Sequence, residues 1–165
     1  MGIASLIISI IGIVIAIIAL ILSGISSSKA NKISNEQLKI NNAIIETEIR
    51  KAIEEANSRV NDMGIEMVPY AAKIECNQGT PVDKKTLEMY QTNFVASVQA
   101  MLNVYDDACT KYLDKKIDCE RFKRNFFIEI RNLIERESLK EYFDPTTSRY
   151  KAILKVYDEW ENLEK

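Results

Sequence analysis

Apolar residues fill the first stretch of the chain and recur at helical spacing through most of the remaining sequence. From Ile3 to Ile25 there is no charged side chain, and nearly every residue is Ile, Leu, Val, Ala, Gly or Ser. About 20 apolar residues at a rise of ~1.5 Å each match the ~30 Å hydrocarbon core of a bilayer. The pattern therefore predicts a transmembrane helix over residues 1–25.

Small residues in this segment follow a heptad pattern, stepping alternately by three and four positions. This small-residue seam consists of Gly2, Ser5, Ser9, Gly12, Ala16, Ala19, Ser23 and Ser26. Small residues let transmembrane helices approach closely, and a period of 3.5 residues gives a left-handed crossing. We therefore expect the seam to hold copies of the chain together in a homo-oligomer. The alternatives are that the seam packs against a different membrane protein, or that it has no packing role.

The charges that flank the apolar segment predict its orientation. No basic side chain precedes it, whereas Lys29, Lys32 and Lys39 come closely after it, and Lys and Arg are retained on the cytoplasmic side. The chain is thus expected to be a single-pass membrane protein with its amino terminus outside and its carboxyl-terminal domain in the cytoplasm. A cleaved signal peptide is less favoured, because there is no basic region before an apolar run that is unusually long.

Residues 26–33 are predicted to be a juxtamembrane linker, followed by a cytosolic helical bundle over residues 34–165. Ser34 and Gln37 have the spacing of a capping box, which favours a new helix at this point. The alternative is that the membrane helix continues without a break. In that case the heptad register carries on through Ala30, Ile33, Gln37, Ile40 and Ile44.

Beyond the linker, apolar residues three and four positions apart predict one helix from Ser34 to Met63, with Gly64 as its terminator. Residues 65–77, which contain Pro69, are either a separate short helix or a kinked continuation.

Turn and cap residues divide the rest of the chain. Asn77–Pro81 is predicted to be a loop, with Thr80, Pro81 and Asp83 opening a helix over about residues 81–115. Asp118 is expected to cap a helix that runs to about Phe143. Asp144 and Pro145 are then expected to open the last helix.

No window alternates apolar and polar residues with period two, so strands are not expected. The predicted fold class is all-α: one N-terminal transmembrane helix followed by an antiparallel bundle of four or five helices.

Composition excludes most catalytic chemistry. The 165 residues include no histidine, which removes imidazole bases, Ser-His and Cys-His pairs and His-based metal motifs, and the five glycines form no phosphate-binding loop. Cys76, Cys109 and Cys119 have no metal-ligand spacing, and their odd number suits a reducing compartment. We expect no cofactor, no metal and no small-molecule substrate.

Carboxylates are the remaining candidates for acid-base chemistry. The adjacent Asp106 and Asp107, and the pair Glu135 and Glu137, are interpreted as parts of solvated helix faces. An enzyme that works with carboxylates is the least favoured of three functional hypotheses.

The most basic segment, here called the basic corner, lies where two predicted helices meet. It consists of Lys111, Lys115, Lys116, Arg121, Lys123 and Arg124. Contact with anionic lipid headgroups or with an acidic partner is one interpretation, and an ordinary helix-loop-helix corner of mixed charge is the other. The net charge of −2 argues against a nucleic-acid partner.

Aromatic residues gather near the carboxyl terminus. They are Tyr142, Phe143, Tyr150, Tyr157 and Trp160, which either close the core of the bundle or form a binding hot spot.

These features favour a membrane-anchored helical interaction module without catalytic activity, a scaffold, adaptor or regulator of another membrane protein. The alternative is a membrane-disrupting effector, in which the bundle senses a signal and the membrane helices assemble to permeabilise the bilayer. Ser5, Ser9, Ser23 and Ser26 would line such a pore. The segment has no charged residue of the kind that usually marks an ion pathway, which disfavours this alternative.

Overall fold

The chain folds into a few long helices. The computed structural model describes the backbone of residues 3–162 and the side chains of residues 20 and 23–162. The helices are α1 (Ile3–Glu75), α2 (Pro81–Leu113), α3 (Cys119–Glu135), a 3₁₀ helix (Glu137–Phe143) and α4 (Lys151–Asn162). There is no strand in the described part of the chain, and the prediction of an all-α helical bundle is confirmed.

The chain divides into two compact units, Met1–Ala43 and Ile44–Lys165. In the first unit α1 is helical from Ile3 onward, and every side chain from Ser23 to Asn41 is exposed.

Most side chains of the predicted membrane segment, residues 1–25, lie outside the described part of the chain. The same holds for six residues of the small-residue seam, which are Gly2, Ser5, Ser9, Gly12, Ala16 and Ala19. Ser23 and Ser26 are described, and both are exposed. Within the described residues, no helix has the length and apolar character needed to cross a membrane.

In the second unit, α1 and α2 form an antiparallel hairpin. Tyr70 stacks on Tyr90 with ring centroids 5.6 Å apart, and Asn57 Nδ2 donates a hydrogen bond to Tyr105 Oη at 3.3 Å. Residue numbers therefore fall along α2 as they rise along α1.

Helices α3 and α4 pack on this hairpin, and each runs antiparallel to the helix before it. The Tyr112 ring of α2 lies 5.6 Å from the Phe122 ring of α3. The Phe127 ring of α3 lies 5.8 Å from the Trp160 ring of α4, whereas Tyr157, one turn earlier on α4, reaches Glu135. The four α-helices of the second unit therefore alternate in direction.

The core of the bundle lies where the four α-helices meet. Its largest fully buried side chains are Trp160, Tyr150, Phe122, Phe126, Leu102, Ile130, Ile153, Val156 and Cys109. Buried core residues end at Ala56 in α1 and resume at Val98 in α2, and no side chain between them is fully buried. We call α1 residues 57–75 with α2 residues 81–97 the distal hairpin.

The turn of the distal hairpin agrees with its sequence signals. Asn77 takes the left-handed conformation, with φ of 55°. At Gly79 a Cβ atom would lie 2.7 Å from Ile74 Cγ1, so the close approach requires glycine. Thr80 and Asp83 form the predicted capping box, because each side chain accepts the backbone N–H of the other, at 3.1 and 2.9 Å.

The expected break at residues 26–33 is not found, because α1 is helical throughout this range. Ser34 is therefore not the start of a new helix, although it has the capping-box spacing. Breaking a helix leaves up to four carbonyl groups without partners at one new end and up to four N–H groups at the other, and a continuous hydrogen-bond ladder avoids this cost.

The expected helix end at Gly64 is also wrong, since α1 continues to Glu75. No described glycine has the positive φ that a terminating glycine adopts, and the Phe94 ring instead packs beside Gly64. Pro69 lies inside the helix, where it removes one hydrogen bond. The stacking of the adjacent Tyr70 on Tyr90 holds the helix together there.

Helix α3 ends earlier than expected, at Glu135 instead of Phe143. Arg136 is extended, with ψ of 119°, and the 3₁₀ helix after it buries Leu139 and Phe143 in the core. Asp144 does not open the last helix. Its carboxylate accepts N–H bonds in a local turn, and α4 begins only at Lys151.

Candidate functional site

The basic corner occupies the end of α2, the turn after it and the start of α3. Lys115 takes the left-handed conformation with φ of 55°, which reverses the chain after α2. Asp118 then caps α3, as predicted, by accepting the N–H of Arg121 at 3.0 Å. The six basic residues are thus within one helix-turn-helix segment of the bundle.

Carboxylates compensate half of the charge in the basic corner. Lys111 pairs with Asp107, Lys116 with Asp114 at 2.7 Å, and Arg121 with Glu46. The three remaining residues are Lys115, Lys123 and Arg124, of which Lys123 lies over the Phe127 ring. The corner therefore presents a weaker positive field than its sequence alone suggests.

Glu46 is a buried carboxylate within a run of charged residues. It lies on α1 with 6% of its surface exposed, and its Oε2 is 2.5 Å from Arg121 Nε. Its Oε1 has no hydrogen-bond partner among the described residues. Burial raises the pKa of Glu46, and the positive charge of Arg121 opposes this shift. Helical spacing gives no signal for this contact, which depends on the packing of α1 against α3.

A polar cleft of about 330 Å³ opens between α1, α2 and α3. Tyr105 Oη lies at its wall, where it accepts from Asn57 Nδ2 at 3.3 Å and donates to Glu129 Oε2 at 3.4 Å. Arg50 and Arg136 also line the cleft, and the Arg50 guanidinium lies over the Phe126 ring. Burial raises the pKa of Tyr105, so its hydroxyl stays protonated and serves as a structural link between helices.

The two carboxylate pairs singled out by sequence analysis have different environments. Asp106 is half-buried and accepts the N–H groups of Ala152 and Ile153, at 3.0 and 3.2 Å, so it caps α4 from the neighbouring α2. The interpretation of Asp106 as part of a solvated face is therefore wrong. Asp107 is exposed, in agreement with that interpretation.

Glu135 and Glu137 are also exposed. Tyr157 donates to Glu135, and Glu137 pairs with Lys140. Neither carboxylate is buried in a cleft in a way that would tune it for catalysis.

The carboxyl-terminal aromatic residues belong to the core, as one of the two interpretations predicted. Phe143, Tyr150 and Trp160 are buried. Trp160 Nε1 donates to Tyr112 Oη at 3.0 Å, and Tyr112 Oη donates to Glu159 Oε1 at 2.7 Å. These aromatic rings therefore close the bundle and are not accessible to a partner.

Cys109 and Cys119 are shielded thiols. Burial raises the pKa of Cys109, which is fully buried, and also that of Cys119. Cys76 is exposed near the end of α1. No group of three or more His, Cys, Asp or Glu side chains in the described part of the chain is arranged to hold a metal ion.

The distal hairpin carries the largest set of exposed apolar side chains in the second unit, and sequence analysis did not single it out. Its members are between 45% and 73% exposed and comprise Ile65, Val68, Val82, Met89 and Val95. A shallow groove beside Val82 and Met89 is bordered by Pro81, Lys85 and Thr86. Val82 and Met89 lie side by side in this groove, and neighbouring apolar side chains in contact with water mark interaction sites. The signal available in the sequence was the number of apolar residues on these helices, which exceeds what one contact between two helices can bury.

Comparison with known proteins gives no relative from which to transfer a function. No protein-family model, no curated protein and no solved structure matches the chain.

Proposed function

We propose that the chain is a single-pass membrane-anchored interaction module, a scaffold, adaptor or regulator of another membrane protein, that self-associates through the small-residue seam. The uncharged segment Ile3–Ile25 supports an anchor, because its length matches the hydrocarbon core of a bilayer. Lys29, Lys32 and Lys39 support a cytoplasmic location for the bundle.

The single observation that carries the interaction role is the exposed apolar groove at Val82 and Met89 of the distal hairpin. In the bundle core four helices cover one another, whereas the distal hairpin has only two helices, and none of its side chains is fully buried. An amphipathic helix of a partner would cover Val82, Met89 and their neighbours in the way that a third helix covers a helical pair. Lys85 borders this groove and would favour an acidic residue beside the apolar stripe of the partner helix.

Anchoring and self-association strengthen such a contact. Copies held side by side in one membrane raise the effective concentration of their bundles, so that a weak contact at each distal hairpin adds to a stable assembly. A catalytic role gains no support from the bundle, because its half-buried and buried carboxylates cap a helix or pair with arginine.

The proposal is tested with the full chain expressed in cells and a photo-crosslinker placed at Met89. The matched control carries the crosslinker at Ile128 of α3, which is similarly exposed, at 61% against 55% for Met89. We expect the chain to stay in carbonate-washed membranes and to crosslink to a membrane protein from Met89 but not from Ile128. Val82→Glu should abolish that crosslink while leaving the far-UV circular dichroism spectrum unchanged.

Two results would overturn the proposal. One is recovery of the chain in the soluble fraction, and the other is the same crosslinked product from Met89 and Ile128. A membrane-potential dye in the same cells tests the membrane-disrupting alternative, since a scaffold leaves the potential unchanged on expression.

A further inference from the structure

Residues 23–41 of α1 present their side chains to solvent. Every side chain from Ser23 to Asn41 is exposed. Many of these residues are serine or asparagine, which favour helices less than Ala, Leu, Lys or Glu. These residues are Ser23, Ser26, Ser27, Ser28, Asn31, Ser34, Asn35 and Asn41. Such a segment is only marginally helical in water, so its helix requires contacts from another molecule.

One face of this segment has the pattern of a coiled coil. Ala30, Ile33, Gln37 and Ile40 step by three, four and three, in register with the small-residue seam that precedes them in the sequence. Ile33 and Ile40 are 62% and 59% exposed. In heptad notation Ala30 and Gln37 occupy a positions and the two isoleucines occupy d positions.

We propose that residues 26–41 of α1 form a parallel coiled coil with the same residues of other copies of this chain. The inference rests on the proposed function, because an anchor in one membrane places the amino-terminal ends of all copies on the same side and so fixes the parallel arrangement. The proposed function places the contact between copies in the membrane. The coiled coil is a second contact outside the membrane, and its core side chains set the register of the copies.

Gln37 identifies the partner as an identical copy. An amide at a core position has both donors and acceptors to satisfy, and a purely apolar partner would leave them unpaired. In a parallel homo-oligomer, Gln37 of each copy lies in one layer and bonds to its equivalents, which fixes the register.

The flanking charges are compatible with identical neighbours. The g positions Lys29 and Glu36 would lie opposite the e positions Ser34 and Asn41 of the adjacent copy. No like charges meet in this arrangement. Isoleucine at d positions disfavours two-stranded packing, so we expect a trimer or tetramer.

Disulfide crosslinking of the full chain in native membranes tests the coil. Cys76→Ser first removes the exposed native thiol, and a new cysteine is introduced either by Ile33→Cys at a d position or by Asn35→Cys at an f position, two residues away. Both sites are exposed in the isolated chain. We expect mild oxidation to give at least about tenfold more intermolecular disulfide at position 33 than at position 35, because only core positions of a parallel coil lie close to their equivalents.

A second pair of variants tests the register in detergent-solubilised full chain. Gln37→Ile should raise the temperature at which the oligomer dissociates, since it removes a polar layer from the coil. Leu38→Ile, at an exposed position on a different helix face, should leave that temperature unchanged.

Equal crosslinking at positions 33 and 35 in chain that remains in carbonate-washed membranes would overturn the coil and leave the anchored module standing. Chain that is soluble yet crosslinks selectively at position 33 would overturn the anchor and retain the coil. A Gln37→Ile oligomer that dissociates at or below the temperature of the unaltered chain also refutes the register.

Discussion

Replacing Asp106 by alanine should detach the start of α4 from the bundle. The Asp106 carboxylate, on α2, accepts the N–H groups of Ala152 and Ile153 in the first turn of α4. Helix α4 has no acidic residue in its own first turn, so this contact from another helix replaces a local cap. Both N–H groups bond to the same oxygen, Asp106 Oδ1, and the substitution removes this shared acceptor without adding bulk.

The size of the effect is the sum of two contributions. Loss of a helix amino-terminal cap costs about 1 kcal/mol. Ile153 is fully buried and Ala152 nearly so, and their burial hinders water from replacing the lost acceptor. A buried N–H group left without an acceptor costs about 1 to 2 kcal/mol more. We expect the free energy of unfolding to fall by about 2 to 3 kcal/mol. At a urea dependence of about 1 to 3 kcal/mol per molar, the unfolding midpoint would shift by about 0.7 to 3 M.

The measurement is urea unfolding of the full chain in mild detergent, monitored by fluorescence of the single tryptophan. Trp160 is buried in α4, so its emission reports the docking of this helix. Asp107→Ala is the matched control, because Asp107 is adjacent, exposed and paired with Lys111, a contact whose removal should cost less than about 0.5 kcal/mol. Asp106→Asn retains an acceptor and should recover most of the loss. Equal midpoints for Asp106→Ala and Asp107→Ala would refute the reasoning.

Three further predictions concern the hydroxyl network, the capping box and the thiols. Tyr112→Phe removes the acceptor of the buried indole N–H and should lower the free energy of unfolding by about 1 to 3 kcal/mol. Hydrogen bonds to Asp83 lower its pKa from 3.8 to about 2, so they stabilise the fold above pH 3.8 and this contribution is lost as the pH falls through 2. Asp83→Asn should therefore flatten the pH dependence of stability over this interval in acid titrations. Cys76 should react with a thiol reagent in the folded chain, whereas Cys109, fully buried, should react only after unfolding.

Each of these predictions has a control within the chain. Tyr157→Phe removes an exposed hydroxyl and should change stability by less than about 0.5 kcal/mol. An equal loss in both tyrosine variants would contradict the buried network. Asp62→Asn makes the same change of side chain at an exposed carboxylate that accepts a hydrogen bond from Ser58, and it is the matched control. Rapid labelling of Cys109 in the folded chain would contradict its burial.

Local signals in the sequence predicted the helix starts that depend on local chemistry. Thr80 with Asp83, and Asp118 with the N–H of Arg121, are contacts within three residues, so spacing alone reveals them. The all-α class was predicted from apolar periodicity in the same way. The aromatic residues near the carboxyl terminus left two interpretations open, and only the packing of Trp160 against Tyr112 decided for the core.

Long-range contacts are what the sequence could not supply. Asp106 and Asp107 are adjacent and chemically identical, and only the position of α4 distinguishes the cap from the solvated carboxylate. Glu46 belongs to a run of charged residues on α1, and its burial depends on Arg121, which lies far along the chain. A contact between residues so distant in sequence leaves no periodic signal.

The sequence predicted a break in α1 because its apolar residues follow two different registers, a pattern that two separate helices would also give. In the first unit the apolar positions keep the heptad register through Ile33 and Ile40, both of which are exposed. In the second unit the buried positions are Ile49, Ile53 and Ala56, and 49 does not continue that register. A linker between two helices would also change the register of the apolar residues, and the capping-box spacing at residues 34 and 37 favoured that interpretation. The backbone has no reason to break, however, since a helix presents different faces to different neighbours at no cost in hydrogen bonds. The stripe that the bundle leaves exposed is thereby available to further copies of the chain, which is the contact proposed for the coiled coil.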